Sequence, residues 1–216
     1  MQCQQAPTST LENAQQGFLQ ISTEKELRVA TEDTTGPINI ELQADLNMTN
    51  WTSPFKLSNE APLAPGLARR VIIRAGSNCS HEGRCRIDGG GFTNFFQFLQ
   101  ADDAGPSGPI VLNLHRIWLA AGSASKGGAF ITSPGTVLIL RDSVVSGCTA
   151  SQGAVLSRSP SVASRSSSGR FLFIDSELRG NRALELDAEA TLRRRLLLNH
   201  WGESSGGMGY CSHAPS

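Results

Sequence analysis

The hydrophobic positions of this chain fall in short clusters, each closed off by glycine, serine or asparagine, and the clusters recur. Ile38-Asn39-Ile40-Glu41-Leu42 alternates strictly, which predicts a strand with one buried face. Val71-Ile72-Ile73-Arg74, Arg86-Ile87-Asp88, Ile110 to Leu114 and Ile117-Trp118-Leu119 read as further strands. Phe92, Phe95, Phe96 and Phe98 crowd another, and Phe18 to Ile21 reads as a short one. Thr23-Glu24-Lys25-Glu26 has the form of a capping box, and Leu27 and Ala30 share a helical face. This predicts a short amphipathic helix over 23–32, stopped by Thr34-Thr35-Gly36-Pro37 and serving as an N-terminal lid.

One motif is written twice. The stretch from Leu138 to Ala150 aligns with Phe171 to Ala183, with Asp142 over Asp175, Ser143 over Ser176, Gly147 over Gly180 and Ala150 over Ala183. Gly128-Ala129-Phe130-Ile131 precedes the first copy and Gly153-Ala154-Val155-Leu156 the second. A period of this length with strand-like content marks a solenoid. Each unit is too short for a strand, a helix and a second strand, so the return path must use further short strands. Alternation then turns Leu138, Leu140, Val145, Phe171, Phe173 and Leu178 inward, and Gly147 and Gly180 fall where the chain bends sharply. Asn181 is positioned for an inward amide that bonds backbone at a corner; Cys148, its counterpart, reads as a small buried filler.

Between the strands, 50–69 reads as a long loop, 78–84 and 122–128 as turns, and 102–109 as a loop. The Ser/Arg-rich stretch 157–169 reads as a disordered insertion. Residues 1–17 read as a disordered leader, 18–210 as one all-β domain, and 211–216 as a tail. The last unit, from 184 to 210, is weak: Arg193 to Leu198 suits a helix as well as a strand.

Composition narrows the function classes. Lysine plus arginine and aspartate plus glutamate each number 19, so the net charge is zero, and charged residues are only 18%. There is no basic surface to argue for nucleic acid. No apolar run approaches the roughly 20 residues that span a bilayer, so no membrane insertion is expected. The first residues lack the pattern of a secretory signal, which leaves an intracellular protein or part of a longer one. The five cysteines cannot all pair within one chain.

Cys79, His81 and Cys85 lie close in sequence. A local disulfide, free thiols and the start of a metal site are all open, the last lacking a fourth ligand nearby unless His115 or His200 supplies it from another coil. Asn47, Asn50 and Asn78 each begin a glycosylation triplet. Trp118, Trp51 and Trp201 would suit sugar stacking if exposed, although Trp118 sits in an apolar strand that reads as core. No phosphate-binding loop or dinucleotide fingerprint is present and no cofactor is expected.

Ile87-Asp88-Gly89-Gly90-Gly91-Phe92, the phenylalanine-rich strand after it, Gly127-Gly128-Ala129-Phe130 and Leu178-x-x-Asn181 together resemble right-handed parallel β-helix proteins of the pectin-lyase-like superfamily. Their closest flavour is the adhesin-type surface repeats, including the chlamydial polymorphic outer-membrane proteins. The likeness covers roughly residues 20–183. It implies an all-β, right-handed parallel β-helix solenoid from a cell-surface or secreted protein, noncatalytic, with an adhesion, scaffold or glycan-binding role toward extracellular polysaccharide or a surface protein. The alternative it implies is a carbohydrate-active enzyme, a polysaccharide lyase or glycoside hydrolase. For that reading Asp142 and Asp175 are the candidate acids, stacked about 5 Å apart in neighbouring coils, where solvated turn carboxylates are the plainer reading.

Overall fold

The computed structural model describes residues 17–32, 37–51, 53–58, 68–99, 108–158 and 169–183. Its elements begin with β1 (Leu19–Ile21), α1 (Glu24–Glu32), β2 (Ile38–Leu42), β3 (Leu46–Asn47), β4 (Phe55–Ser58) and β5 (Arg69–Ala75). They continue with β6 (Cys85–Asp88), β7 (Phe96–Leu99), β8 (Ile110–His115), β9 (Ile117–Ala120), β10 (Ser123–Lys126) and β11 (Phe130–Thr132). The last are β12 (Val137–Arg141), β13 (Val144–Ser146), β14 (Thr149–Gln152), β15 (Leu156–Arg158), β16 (Arg170–Ile174), β17 (Glu177–Arg179) and β18 (Arg182–Ala183).

These strands form four open parallel sheets. The first runs β1-β2-β5-β8-β12-β16, the second β3-β6-β9-β13-β17, the third β4-β7-β11-β15 and the fourth β10-β14-β18. The chain visits the sheets in a fixed order and lays each new strand beside its predecessor, so the class is all-β with one helix among the described residues. Stacked parallel sheets of this kind are compatible with a solenoid.

Pairing follows the internal alignment residue for residue. Leu138 pairs with Phe171, Leu140 with Phe173, Val145 with Leu178 and Ala150 with Ala183. Inward positions form continuous ribs. Ile40, Ile73, Leu114 and Leu140 make one, and Leu46, Ile87, Leu119 and Val145 another, nearly all fully buried. The third sheet carries an aromatic rib, in which Phe96 lies 5.5 Å from Phe55 and 6.0 Å from Phe130 between ring centroids. Each such side chain contributes about 1.5–3 kcal/mol by leaving water. Phe173 and Leu178 occupy the same ribs but are 44% and 49% exposed, because no described strand lies beyond β16 and β17.

Two expected irregular stretches hold strands. Phe55–Ser58 lies within the expected loop over 50–69, and its strict alternation buries Phe55 and Leu57 completely; Pro54 precedes the strand and so costs it no hydrogen bond. Ser123–Lys126 lies within the expected turn over 122–128; its inward residue is only Ala124, paired with Ala150, so apolar clustering gives it no signal. Ser157 and Arg158, expected within an insertion over 157–169, belong to β15; residues 159–168 lie outside the described residues. The flanking glycine signals also pair one residue away from their apparent alignment: Phe130 meets Leu156, and Gly127 and Gly153 both adopt positive φ, 61° and 64°. A one-residue slip would turn Phe130 outward, so the buried face decides the register. The weak unit from 184 to 210, the leader before residue 17 and the tail lie outside the described residues.

The repeated Asp-Ser is a corner device. Arg116, Asp142 and Asp175 occupy one position in successive coils, between the first and second sheets, with φ of 59°, 48° and 49°. Aspartate tolerates this left-handed backbone better than most residues. The N–H of Arg116 donates to Arg141 O and that of Asp142 to Ile174 O, so these two corners are each tied to the next strand of the first sheet. Ser143 Oγ donates to Arg141 O at 2.8 Å and accepts from Ile117 N; Ser176 repeats both bonds one coil on.

Helix α1 packs on β4 with Leu27, Ala30 and Thr31 buried. Thr23 and Glu26 complete the reciprocal capping box: Glu26 N–H reaches Thr23 Oγ1 at 3.3 Å, and Thr23 N–H reaches Glu26 Oε2 at 3.1 Å. The buried guanidinium of Arg69 in β5 donates to Thr31 O at 2.6 Å, tying the helix end to the first sheet.

Candidate functional site

Most coils pass from the first sheet to the second through one to three residues; the exception is the β5 to β6 passage, where residues 76–84 form a loop that stands off the corner. Loops held on a rigid scaffold are where binding and chemistry concentrate. This one is fastened at both ends. Gly76 N donates to Leu42 O at 2.7 Å, and Cys79 and Cys85 are paired as a disulfide with Cα atoms 4.8 Å apart. Farther along, Arg84 Nε donates to Asp142 O at 2.8 Å, so the loop spans to a later coil.

Asp45, from the preceding coil, is the hub beneath the loop. Its Oδ1 accepts Arg86 N–H at 2.7 Å, while Oδ2 takes the Ser80 hydroxyl at 3.2 Å and lies 3.0 Å from His81 Nε2. Asp45 Oδ, Cys79 Sγ and Cys85 Sγ all lie within 4.8 Å of one another. Sequence reasoning missed Asp45, because the pairing of β3 with β6 that delivers it has no local signature. His115 belongs elsewhere and His200 lies outside the described residues.

On one side of the loop is the outer face of the second sheet. Trp118 points outward there, against the expectation that it is core. Its neighbours Ile117 and Leu119 take the two inward positions, which alternation leaves for them. The half-buried ring meets the His81 ring edge-on at 5.2 Å, and the guanidinium carbons of Arg86 and Arg179 lie 5.1 and 5.4 Å from it. Trp118 Nε1 donates to Ser146 Oγ at 2.7 Å, which leaves the indole oriented. Trp51, by contrast, lies under Arg28 against the core, and Trp201 is outside the described residues.

On the other side is an open depression of about 340 Å³ that includes Glu41, Arg74, Ser77, His115 and Arg116. Glu41 is bonded by Arg74 Nε at 2.7 Å, and by Gln43 and Gln20; the guanidinium first, then these amides, hold its carboxyl below the usual glutamate range. Arg74 in turn lies over the Phe18 ring. His115 Nε2 is 3.2 Å from Asp142 Oδ2. Asp142 and Asp175 therefore sit at corners, with Asp142 engaged by His115 and Asp175 exposed.

Asn47, Asn50 and Asn78 are all exposed. Asn47 Oδ1 accepts Thr49 N–H at 2.9 Å, and Asn78 Nδ2 donates to Gln43 Oε1 at 3.2 Å. No helix among the described residues is long and apolar enough to cross a membrane. No family model, no curated protein and no solved structure matches the chain.

Proposed function

We propose that this protein is a noncatalytic right-handed parallel β-helix of the pectin-lyase-like type, part of a cell-surface or secreted protein, and that the outer face of its second sheet docks polysaccharide. The single observation that carries the reading is Trp118: an indole turned outward on the second sheet, with the Arg86 and Arg179 guanidiniums near its ring and its Nε1 fixed by Ser146. A sugar ring stacks its apolar face on such an indole while neighbouring polar groups bond its hydroxyls. Arg86, paired with Asp88 at 2.6 Å, and Arg179, paired with Glu177 at 3.5 Å, bring polar groups beside the ring that can bond sugar hydroxyls. The paired Cys79 and Cys85 and the three exposed asparagines that begin glycosylation triplets support an extracellular or surface location.

The enzymatic reading draws on His115 and Asp142 beside the depression. Glycoside hydrolysis needs two carboxyl groups about 5–9.5 Å apart across the scissile bond, one of them protonated. The depression offers Glu41, which Arg74 keeps ionised.

Affinity electrophoresis through gels containing polygalacturonate or a neutral glucan tests both readings. The expected result is retardation in at least one of these gels, weakened at least about tenfold in apparent Kd by Trp118→Ala, a loss of roughly 1.4 kcal/mol. Equal mobility of wild type and variant in every gel overturns the docking reading. Release of unsaturated or reducing ends, abolished by His115→Ala, overturns the noncatalytic one.

A further inference from the structure

We propose that, when the Cys79–Cys85 bond is reduced, the loop over 76–84 becomes a binding site for a thiophilic divalent cation of the zinc class. The ligands are Cys79 Sγ, Cys85 Sγ, one Asp45 oxygen and His81 Nε2. This stands independently of the polysaccharide reading.

The donor set is of the right kind, two thiolates, an imidazole and a carboxylate, and four of them fill a tetrahedral shell. Three of the four donors are already gathered, and the fourth, His81, touches one of them. The Asp45, Cys79 and Cys85 donor atoms already lie within 4.8 Å of one another, and His81 Nε2 lies 3.0 Å from Asp45 Oδ2. A tetrahedral zinc shell places its sulfurs about 3.8 Å apart and its nitrogen and oxygen about 3.3 Å apart, from bond lengths near 2.3 and 2.0–2.1 Å. Once the S–S bond is open, rotation of the two cysteines, together with a turn of the His81 ring toward the sulfurs, closes the shell.

The supporting contacts are in place as well. Arg86 N–H holds Asp45 Oδ1 at 2.7 Å, and Oδ2, which takes the Ser80 hydroxyl at 3.2 Å, keeps a second lone pair for the cation. The edge-on contact of the His81 ring with Trp118 keeps the imidazole on the Asp45 side of the loop. Such outer contacts orient ligands and raise affinity. Both sulfurs are buried, whereas Asp45 and His81 keep about a third of their side chains in water, which gives the cation an entry path.

The chemistry balances. A dithiol reductant gives two electrons and two protons to the sulfur pair and leaves as its own cyclic disulfide. Binding of the cation then releases both thiol protons, since thiolates are the ligands. The loop therefore has two alternative pins, a covalent one under oxidising conditions and a metal one where thiols are kept reduced.

The test uses the full chain carrying Cys3→Ser, Cys148→Ser and Cys211→Ser, so that only the two loop cysteines remain. After anaerobic reduction, Co2+ is added as the probe. The expected result is one cobalt per chain, with thiolate-to-cobalt charge transfer in the near ultraviolet and the visible bands of tetrahedral cobalt, displaced by Zn2+. The oxidised protein should show neither. Asp45→Asn and His81→Gln should weaken binding at least by the roughly tenfold that losing an outer partner costs. Circular dichroism confirms that each variant keeps its sheet. Absence of charge transfer in the reduced folded protein, or an affinity untouched by Asp45→Asn and His81→Gln, overturns the proposal.

Discussion

Asn181 reaches back one coil and holds Cys148: its Oδ1 accepts the Cys148 N–H at 2.9 Å, and its Nδ2 donates to Val145 O at 3.0 Å. One side chain thus satisfies a donor and an acceptor at the corner where β13 gives way to β14. Backbone groups in so confined a place have little access to water, and an unmade bond there costs about 1–3 kcal/mol.

Replacing Asn181 by Ala is therefore expected to destabilise the fold by about 1–3 kcal/mol. Asn181→Asp keeps the acceptor for Cys148 N–H but places an oxygen against Val145 O, so it should rescue little. The measurement is the urea midpoint of each variant at unchanged slope. A midpoint equal to wild type for Asn181→Ala would mean that water replaces the amide without loss.

Stability should fall at both ends of the pH scale, for different reasons. Burial pushes the Cys148 thiol up to about 11 from its ordinary 9.0. The folded state then holds its proton more tightly than the unfolded chain, so this contribution is complete below pH 9.0 and is lost as pH rises toward 11. Its size is on the order of 2–3 kcal/mol. Glu41 works in the opposite sense: Arg74 lowers it, so its contribution is present above the ordinary carboxylate range and is lost as pH falls through its folded value. Thermal melts across pH should show the alkaline limb flattened in Cys148→Ala and the acid limb flattened in Glu41→Gln. A limb unchanged by its own substitution refutes that assignment.

How much of this was legible beforehand depends on where each rule acts. The alignment of Leu138 to Ala150 with Phe171 to Ala183 was readable because inward aliphatic residues and corner glycines must recur when coils stack, and the pairing follows it throughout. The reading of Asn181 as a corner amide rested on the same logic. The strand at Ser123–Lys126 was not readable, because alanine and serine carry too little apolar contrast to show a period. Trp118 was misplaced because a three-residue apolar run, Ile117-Trp118-Leu119, does not say which of its members alternation turns outward. Asp45 escaped because its partners, Ser80, His81 and Arg86, come from the next coil, and only the coil-to-coil register brings them together.

Glycines in this fold are required for two separable reasons, and the two predict different costs. Gly128 stands where the chain touches the next coil: a Cβ there would lie 2.2 Å from Ala154 O and 2.8 Å from Thr149 O, both backbone atoms of the neighbouring strand region. Gly147 has open space, its nearest such contact being 3.8 Å, but its φ is 63°. The same corner one coil earlier is occupied by Ala121 at φ 56°, which shows that alanine is accommodated there with strain alone. Gly147→Ala should therefore cost about 1 kcal/mol, the lower end of the left-handed penalty, and Gly147→Asn less. Gly128→Ala must push two coils apart and should cost about 3 kcal/mol, the upper end for overpacking. Denaturant midpoints of the three variants decide the matter. A loss for Gly147→Ala as large as that for Gly128→Ala would show that backbone conformation, and not the close approach of coils, limits both positions.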